Sequence, residues 1–374
     1  MRIIRTGQHG EEVGDVQRRL IDRGSRIDAA ELDGTFGLST EAAVKAFQQS
    51  RGLLVDGRVG PETWGQLVEA GYRPGDRTLY LRARHFRGDD VRSLQRRLNA
   101  LGFDAGREDG IFGRATDDGL REFQRNVGHE PDGIVGPETH AALGRLRPPL
   151  EAPSRAMVRE EEAVRSMSTP LAGARIAVDP GHGPGDAGSA GTRITEAQAV
   201  FAIAEALAKE LEAIGAVPTL LRGPDENPSP SSRSRTANEL DAAVCISLHL
   251  NGHRDPGAEG TTCFYFGTTN THSPAGQLLA ERIQEELVTK LGLMDGRTHP
   301  LAIAMLRETR MPAVQIEPCF ITNPKEEQLL REPEFRQRVA YAIAGGVRRY
   351  FERPEEQQGR SGPRGGAAGA VSDG

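Results

Sequence analysis

The sequence predicts an α/β unit built on an open, mostly parallel sheet, preceded by two small three-helix repeats. Three observations carry that expectation. The first 150 residues repeat themselves, apolar strand-like runs alternate with helix-like ones from Ala174 onward, and polar residues suited to chemistry stand where those strands end. A chain of 374 residues has room for two or three domains with at least one well-buried core. The expected division is 1–72 and 79–145 for the repeats, 146–173 for a linker, 174–352 for the α/β unit and 353–374 for a disordered tail.

The repeat is direct. "LDGTFGLSTEAAVKAFQQSRGLLVDGRVGPETWGQL" from Leu32 lies over "EDGIFGRATDDGLREFQRNVGHEPDGIVGPETHAAL" from Glu108 at an offset of 76, and "GEEVGDVQRRL" lies over "GDDVRSLQRRL" at an offset of 78. Two copies of one supersecondary unit explain this most simply. In each copy a first helix begins near Glu12 or Asp90, with Val13, Val16 and Leu20, or Val91, Leu94 and Leu98, at helical spacing. A second follows Ser39 or Ala115 and carries Val44 and Phe47, or Leu120 and Phe123, on one face. A third follows "VGPET", where Pro61 and Pro137 suit a first helical turn that needs no proline N–H. Asp-Gly pairs at Asp33, Asp56, Asp109 and Asp132 mark tight turns. His85, His129 and His140 do not cluster, so the repeats read as binding modules, not catalysts. Trp64 suits either a ligand platform or core packing, since its counterpart is His140.

From Ala174 the runs "ARIAVD", "AVPTLLR", "AAVCISLHLN", "TTCFYF" and "PAVQIEP" read as strands. Between and after them "TEAQAVFAIAEALAKELEAIG", "PAGQLLAERIQEELVTKLG", "AIAMLRET" and "PEFRQRVAYAIAGGVRRYF" read as helices. In such sheets ligands bind beyond the carboxyl ends of the strands. His182 follows the first strand, His249 ends "CISLHLN", Glu317 ends "AVQIEP", and Glu196 opens the first helix after Thr195. Thr195 and Gln198 make a T-x-x-Q capping box that fixes that helix start.

Two histidines and one carboxylate are a recipe for catalytic zinc, with a fourth position left for water. A further carboxylate must then move the proton from water to the leaving amine, and Glu317 can fill that role. The glycine loop "GHGPGDAG" is a poor phosphate cradle, because no Lys-Ser or Lys-Thr follows its glycines. Asp186 in that loop suits either a turn or the orientation of His182.

Composition narrows the partners. A net charge of -6 gives no whole-chain reason to expect nucleic acid or an anionic membrane as partner. Cys245, Cys263 and Cys319 are too few for a disulfide framework and read as buried thiols. The beginning "MRIIRTGQHGEEVGDVQRRL" lacks the apolar run of a signal peptide, and no segment suits a membrane span. The resulting expectation is a cytoplasmic chain, at the cell wall only if exported by a non-classical route.

The motifs carry two resemblances. The "QRRL" helix, "DG.FG..T", "FQ" and "DG.VGPET" resemble the peptidoglycan-binding domain 1 family, which implies binding of cell-wall glycan or peptide. "DPGHG", the Glu before "AQAVFAIAEAL", "R...AN" from Arg233 to Asn238, "SLHLN" and "RMPAVQIEPCFITNP" resemble the zinc-dependent N-acetylmuramoyl-L-alanine amidases of the amidase 3 family, from about Ala174 to Tyr350. That resemblance implies one Zn2+ per chain held by His182, Glu196 and His249, with Glu317 as catalytic acid/base. It also implies hydrolysis of the amide between the lactyl group of N-acetylmuramic acid and L-alanine in peptidoglycan or muropeptides. Arg233 and Asn251 match family positions near the cleft and are expected to touch substrate.

Three departures stand out: Glu196-Ala197-Gln198 where the family has Glu-Lys-Asp, Pro318-Cys319 where it has Leu-Gly, and a Pro- and Ser-rich "GPDENPSPSSRSR". Strand alternation from Glu317 predicts the Cys319 thiol on the same side, available as a soft ligand. Two repeats ahead of one such unit also resemble an actinobacterial type. That supplies the alternative: a cytoplasmic regulator of precursor synthesis, with a protein partner and little or no hydrolysis.

Overall fold

The computed structural model describes residues 3–146, 170–268 and 271–352. The charged linker helix expected near 159–166 and the tail from 353 lie outside the described residues.

Each repeat forms three helices: α1 (Glu11–Ile21), α2 (Leu38–Arg51) and α3 (Pro61–Glu69), then α4 (Asp89–Ala100), α5 (Arg114–Asn126) and α6 (Pro137–Arg145). Val13, Val16, Leu20, Phe36, Val44 and Leu67 close the first core, and Val91, Leu98, Phe112, Leu120 and Phe123 the second. Trp64 packs half-buried on the first core, with the Arg19 guanidinium 5.0 Å above its ring. Core packing and a cation–π contact therefore account for it.

The α/β unit holds a six-stranded sheet in the order β2-β1-β3-β6-β4-β5. Its strands are β1 (Arg175–Pro180), β2 (Val217–Leu220), β3 (Val244–Leu248), β4 (Thr261–Phe266), β5 (Asp295–Leu301) and β6 (Ala313–Glu317). Every pairing is parallel except β4 with β6. The helices are α7 (Glu196–Ala213), α8 (Pro230–Glu239), α9 (Pro274–Leu291), α10 (Ala304–Glu308), α11 (Pro324–Arg331) and α12 (Pro333–Phe351).

One face of the sheet buries Ile176, Val178, Ile246, Val314 and Ile316 against α7, α9 and α12. There Gly346 lets α12 close on α9, because a Cβ would fall 2.5 Å from the Ile283 Cα. The other face sets Ala177, Cys245 and Phe266 against Ala237 of α8 and Met305 and Leu306 of α10. All three cysteines are buried and free.

Three elements escape the sequence reading. Strand β5, "DGRTHPL", is a polar edge strand with no apolar alternation, and its ladder with β4 defines it. Helix α8 sits in the Pro- and Ser-rich stretch and starts at Ser229, whose side chain caps Ser232 N, with Pro230 in the first turn. Helix α11 uses the same device, an Asn323 cap followed by Pro324.

The repeats dock on the α10 side. Arg87 holds Glu308 through two bonds of 2.5 and 2.6 Å, Arg107 donates to the Thr309 carbonyl, and Ala302 N donates to Gly52 O at 2.6 Å. Arg307 is buried in this junction, with Glu62 and Glu69 of α3 as charge partners. Among the described residues no helix is long and apolar enough to cross a membrane.

Candidate metal centre

Strands β1, β3 and β6 are parallel neighbours, so their carboxyl ends share one edge of the sheet. His182 stands just past β1, His249 just past β3, and Glu317 closes β6. Glu196 arrives from the side as the first residue of α7, where both halves of the Thr195–Gln198 capping box are formed. The capping box thus fixes the one candidate ligand that no strand carries.

The contacts are close. Glu196 Oε1 lies 3.2 Å from His182 Nε2 and 3.0 Å from His249 Nδ1, and it accepts from Leu250 N. Its Oε2 accepts from Ser189 N at 2.7 Å. Two backbone N–H donors and two histidine ring nitrogens surround a carboxylate that is only 2% exposed. Ligands about 2.0–2.1 Å from a tetrahedral ion sit roughly 3.3 Å apart. The three donor atoms here, all within 4.8 Å of one another, fit a single divalent metal. Asp186 Oδ2 takes the other ring nitrogen of His182 at 2.8 Å, which leaves Nε2 to face the cluster, and Asp186 Oδ1 accepts from Gly188 N. The loop aspartate therefore fills both roles open to it.

The loop glycines make room. A Cβ at Gly188, whose φ is +67°, would fall 2.5 Å from Glu196 Oε2, and one at Gly181 would fall 2.4 Å from the His249 ring. His182 itself adopts φ 59°, the left-handed region that costs a non-glycine residue energy. Two arginines hold it there. Arg222 donates to the carbonyls of Pro180 and Gly181, and Arg233 donates to Pro180 O.

That placement corrects the expectation for Arg233. It is 3% exposed, paired at 2.9 Å with the fully buried Asp179, which also accepts from Ser247 Oγ. A side chain bound beneath the loop supports His182 and does not face a cleft. Arg222 and Asp179 carry no motif that would have singled them out. Asn251 lies at the same edge of the sheet, where its main chain pairs with the segment after β6. Cys319 is also corrected: it is fully buried in the α7/α9/α12 core beside Ile321 and Leu330. Strand β6 ends at Glu317, so alternation does not extend through Pro318, and burial pushes the thiol well above its ordinary value.

Two glutamates in this site have opposite electrostatics. Burial alone would raise both. For Glu196 the hydrogen bonds and charges of His182 and His249 outweigh burial and hold the carboxyl well below its usual range. For Glu317 burial dominates, against the charge of His249 and a 3.0 Å bond from Gln315 Nε2, and pushes it up to about 7. His182 rises to about 9, because Glu196 and Asp186 outweigh the opposing effect of burial. One carboxylate is fixed as an anion, and the other is poised to exchange a proton near neutrality.

Parallel strands carrying a two-histidine, one-carboxylate cluster, with Glu317 at the end of a neighbouring strand, make this an α/β unit with a candidate metal centre at its carboxyl edge. The N-acetylmuramoyl-L-alanine amidase family model matches residues 176–349, and the peptidoglycan binding domain model matches residues 9–67 and 87–143. The N-acetylmuramoyl-L-alanine amidase CwlM of Mycobacterium tuberculosis is 39% identical over 366 residues, 93% of this chain and 89% of that protein. The N-acetylmuramoyl-L-alanine amidase LytC of Bacillus subtilis is 30% identical over 190 residues, 51% of this chain and 38% of that one. The crystal structure of the N-acetylmuramoyl-L-alanine amidase from Clostridium difficile 630 aligns at 29% identity and a TM-score of 0.46, covering 48% of this chain and 97% of that one. The chain belongs to the N-acetylmuramoyl-L-alanine amidase family.

Proposed function

We propose that this amidase cleaves the bond between the lactyl carbonyl of N-acetylmuramic acid and L-alanine, in peptidoglycan or muropeptides, with one zinc held by His182, Glu196 and His249. The observation that carries the reading is the meeting of those three donor atoms at one sheet edge, with Glu317 beside them. A zinc ion bound there supplies a Lewis acid that polarises the scissile carbonyl and acidifies water. Glu317 takes the proton of the attacking water and delivers it to the leaving amine of alanine. Its raised affinity for a proton suits both transfers. Asp186 fixes the His182 tautomer, and Arg222 and Arg233 keep the loop in its strained form.

The two repeats, within 1–72 and 79–145, are the modules that hold the wall polymer, joined by a linker at 146–173 to the catalytic unit of 174–352. Asn251 lines the substrate path on this reading, and Arg233 does not. The test is hydrolysis of a synthetic muramoyl-L-alanyl peptide by the zinc-loaded chain and by Glu317→Gln. Cleavage by the first and loss in the second, with metal retained, is the expected result. Stoichiometric zinc with no cleavage of polymer, fragment or precursor would overturn it in favour of a regulatory role.

A further inference from the structure

A second site lies away from the sheet edge, where the two repeats and the catalytic unit meet. A cavity of about 440 Å3 opens between the end of α2, the stretch after α3, the exposed face of α4 and Thr268 beyond β4. Four arginines line it, Arg51, Arg73, Arg92 and Arg96, against one carboxylate, Asp89. That carboxylate is already committed. Arg51 grips it through two bonds of 2.6 Å, and Arg92 adds a third at 2.9 Å. Arg96 has only a loose pairing with Glu108 at 3.6 Å, and among the described residues the Arg73 guanidinium pairs with no carboxylate, Asp76 taking only its backbone N–H at 2.7 Å.

The cluster therefore carries uncompensated positive charge, and part of it is shielded from water. Arg92 Nε is buried with no acceptor among the described residues. Burial, with the adjacent Arg51 charge working against Asp89, lowers the proton affinity of the Arg92 guanidinium. Partly desolvated like charges of this kind are stable when a counter-anion joins them. The geometry also selects the anion. A carboxylate offers two oxygens in one plane, which Asp89 already spends on Arg51 and Arg92, whereas a tetrahedral oxyanion offers oxygens to forks arriving from several sides.

The geometry points to a phosphate-class oxyanion site at this three-module junction, taking a phosphate or diphosphate group between Arg73, Arg92 and Arg96. Occupancy joins the stretch after α3 to α4, across the junction between the two repeats. The site is independent of the metal centre and of the amide chemistry.

The test is calorimetric titration of the full chain with inorganic diphosphate at constant ionic strength. It is repeated on the double variant Arg73→Gln/Arg96→Gln, whose changes fall on exposed side chains, and on His182→Ala, which removes the competing metal centre. Saturable one-to-one binding is expected in wild type and in His182→Ala, weakened at least about tenfold in the double variant and not displaced by equimolar acetate. Absence of saturable binding would overturn the site. So would equal binding by the double variant, loss in His182→Ala alone, or equal competition by acetate.

Discussion

The helical repeats and the α/β unit both bury polar side chains, but for opposite ends. In the repeats Gln17, Gln48, Gln95 and Gln124 each reach from a helix into an Asp-Gly or Thr-bearing turn and bond it from inside. Gln48 and Gln95, for example, donate to Asp56 and Asp109 and accept from Gly57 N and Gly110 N. Gln124 does the same with Asp132 and Gly133 N, and Gln17 bonds Glu31 O and Thr40. Gln17 Oε1 apart, which is buried without a partner among the described residues, their polarity is consumed in closing turns. At the sheet edge His182, Glu196 and His249 face one another around a shared point, with His182 oriented by Asp186 and Glu196 by the Ser189 N–H. Buried polarity that satisfies the backbone is structural, and buried polarity that converges on a point is chemical.

That contrast can be broken by substitution. The largest effect is expected for Glu317→Gln, which removes the proposed proton carrier and should lower turnover roughly 100- to 10,000-fold in a muramoyl-peptide assay while metal content stays level. Stability should move the other way. A carboxyl raised to about 7 contributes stability below its ordinary value of 4.5, and that contribution is lost as pH climbs through 7. The glutamine variant, free of that penalty, should melt no lower than wild type at pH 8.

Next comes Arg233→Gln, which strands the buried Asp179 charge and should cost about 3–5 kcal/mol in urea denaturation. If Arg233 touched substrate instead, KM would rise with stability unchanged.

In the repeats, Gln95→Ala leaves the Gly110 N–H and the Asp109 turn unsatisfied and should cost about 1–3 kcal/mol, with zinc binding and turnover untouched. A loss of metal in that variant would contradict the division of roles.

The smallest effect is a pH trend in the metal-free chain. The His182 proton, held up to about 9, stabilises the fold fully below the ordinary 6.5 and less as pH rises through 9. Chelated protein should therefore lose on the order of 1 kcal/mol between those values, after allowance for a partly exposed ring. Zinc affinity should climb over the same interval, because the ligand nitrogen must shed its proton.

Much of this was legible in the sequence. Helices of the repeats follow from apolar spacing and the prolines of "VGPET", and His182, His249 and Glu317 at strand ends, with Glu196 at a helix start, announce an edge because ligands of such sheets bind beyond the carboxyl ends of the strands. Strand β5 was hidden because its side chains are polar and its pairing with β4 is what holds it. Helix α8 was hidden because Pro and Ser mark loops and helix starts alike, and only Ser229 capping Ser232 N distinguishes them. The roles of Arg222 and Arg233 depend on carbonyls that a sequence does not display. Cys319 departs from its strand-alternation expectation because the strand ends at Glu317, before Pro318.

The central claim is that the sheet edge holds one metal through His182, Glu196 and His249. Metal analysis of zinc-loaded protein after exhaustive dialysis tests it most directly, with Glu317→Gln and Glu196→Ala prepared in parallel. One zinc per chain in wild type and Glu317→Gln, and none in Glu196→Ala, is the predicted outcome. Full zinc in Glu196→Ala, or none in wild type, would contradict it.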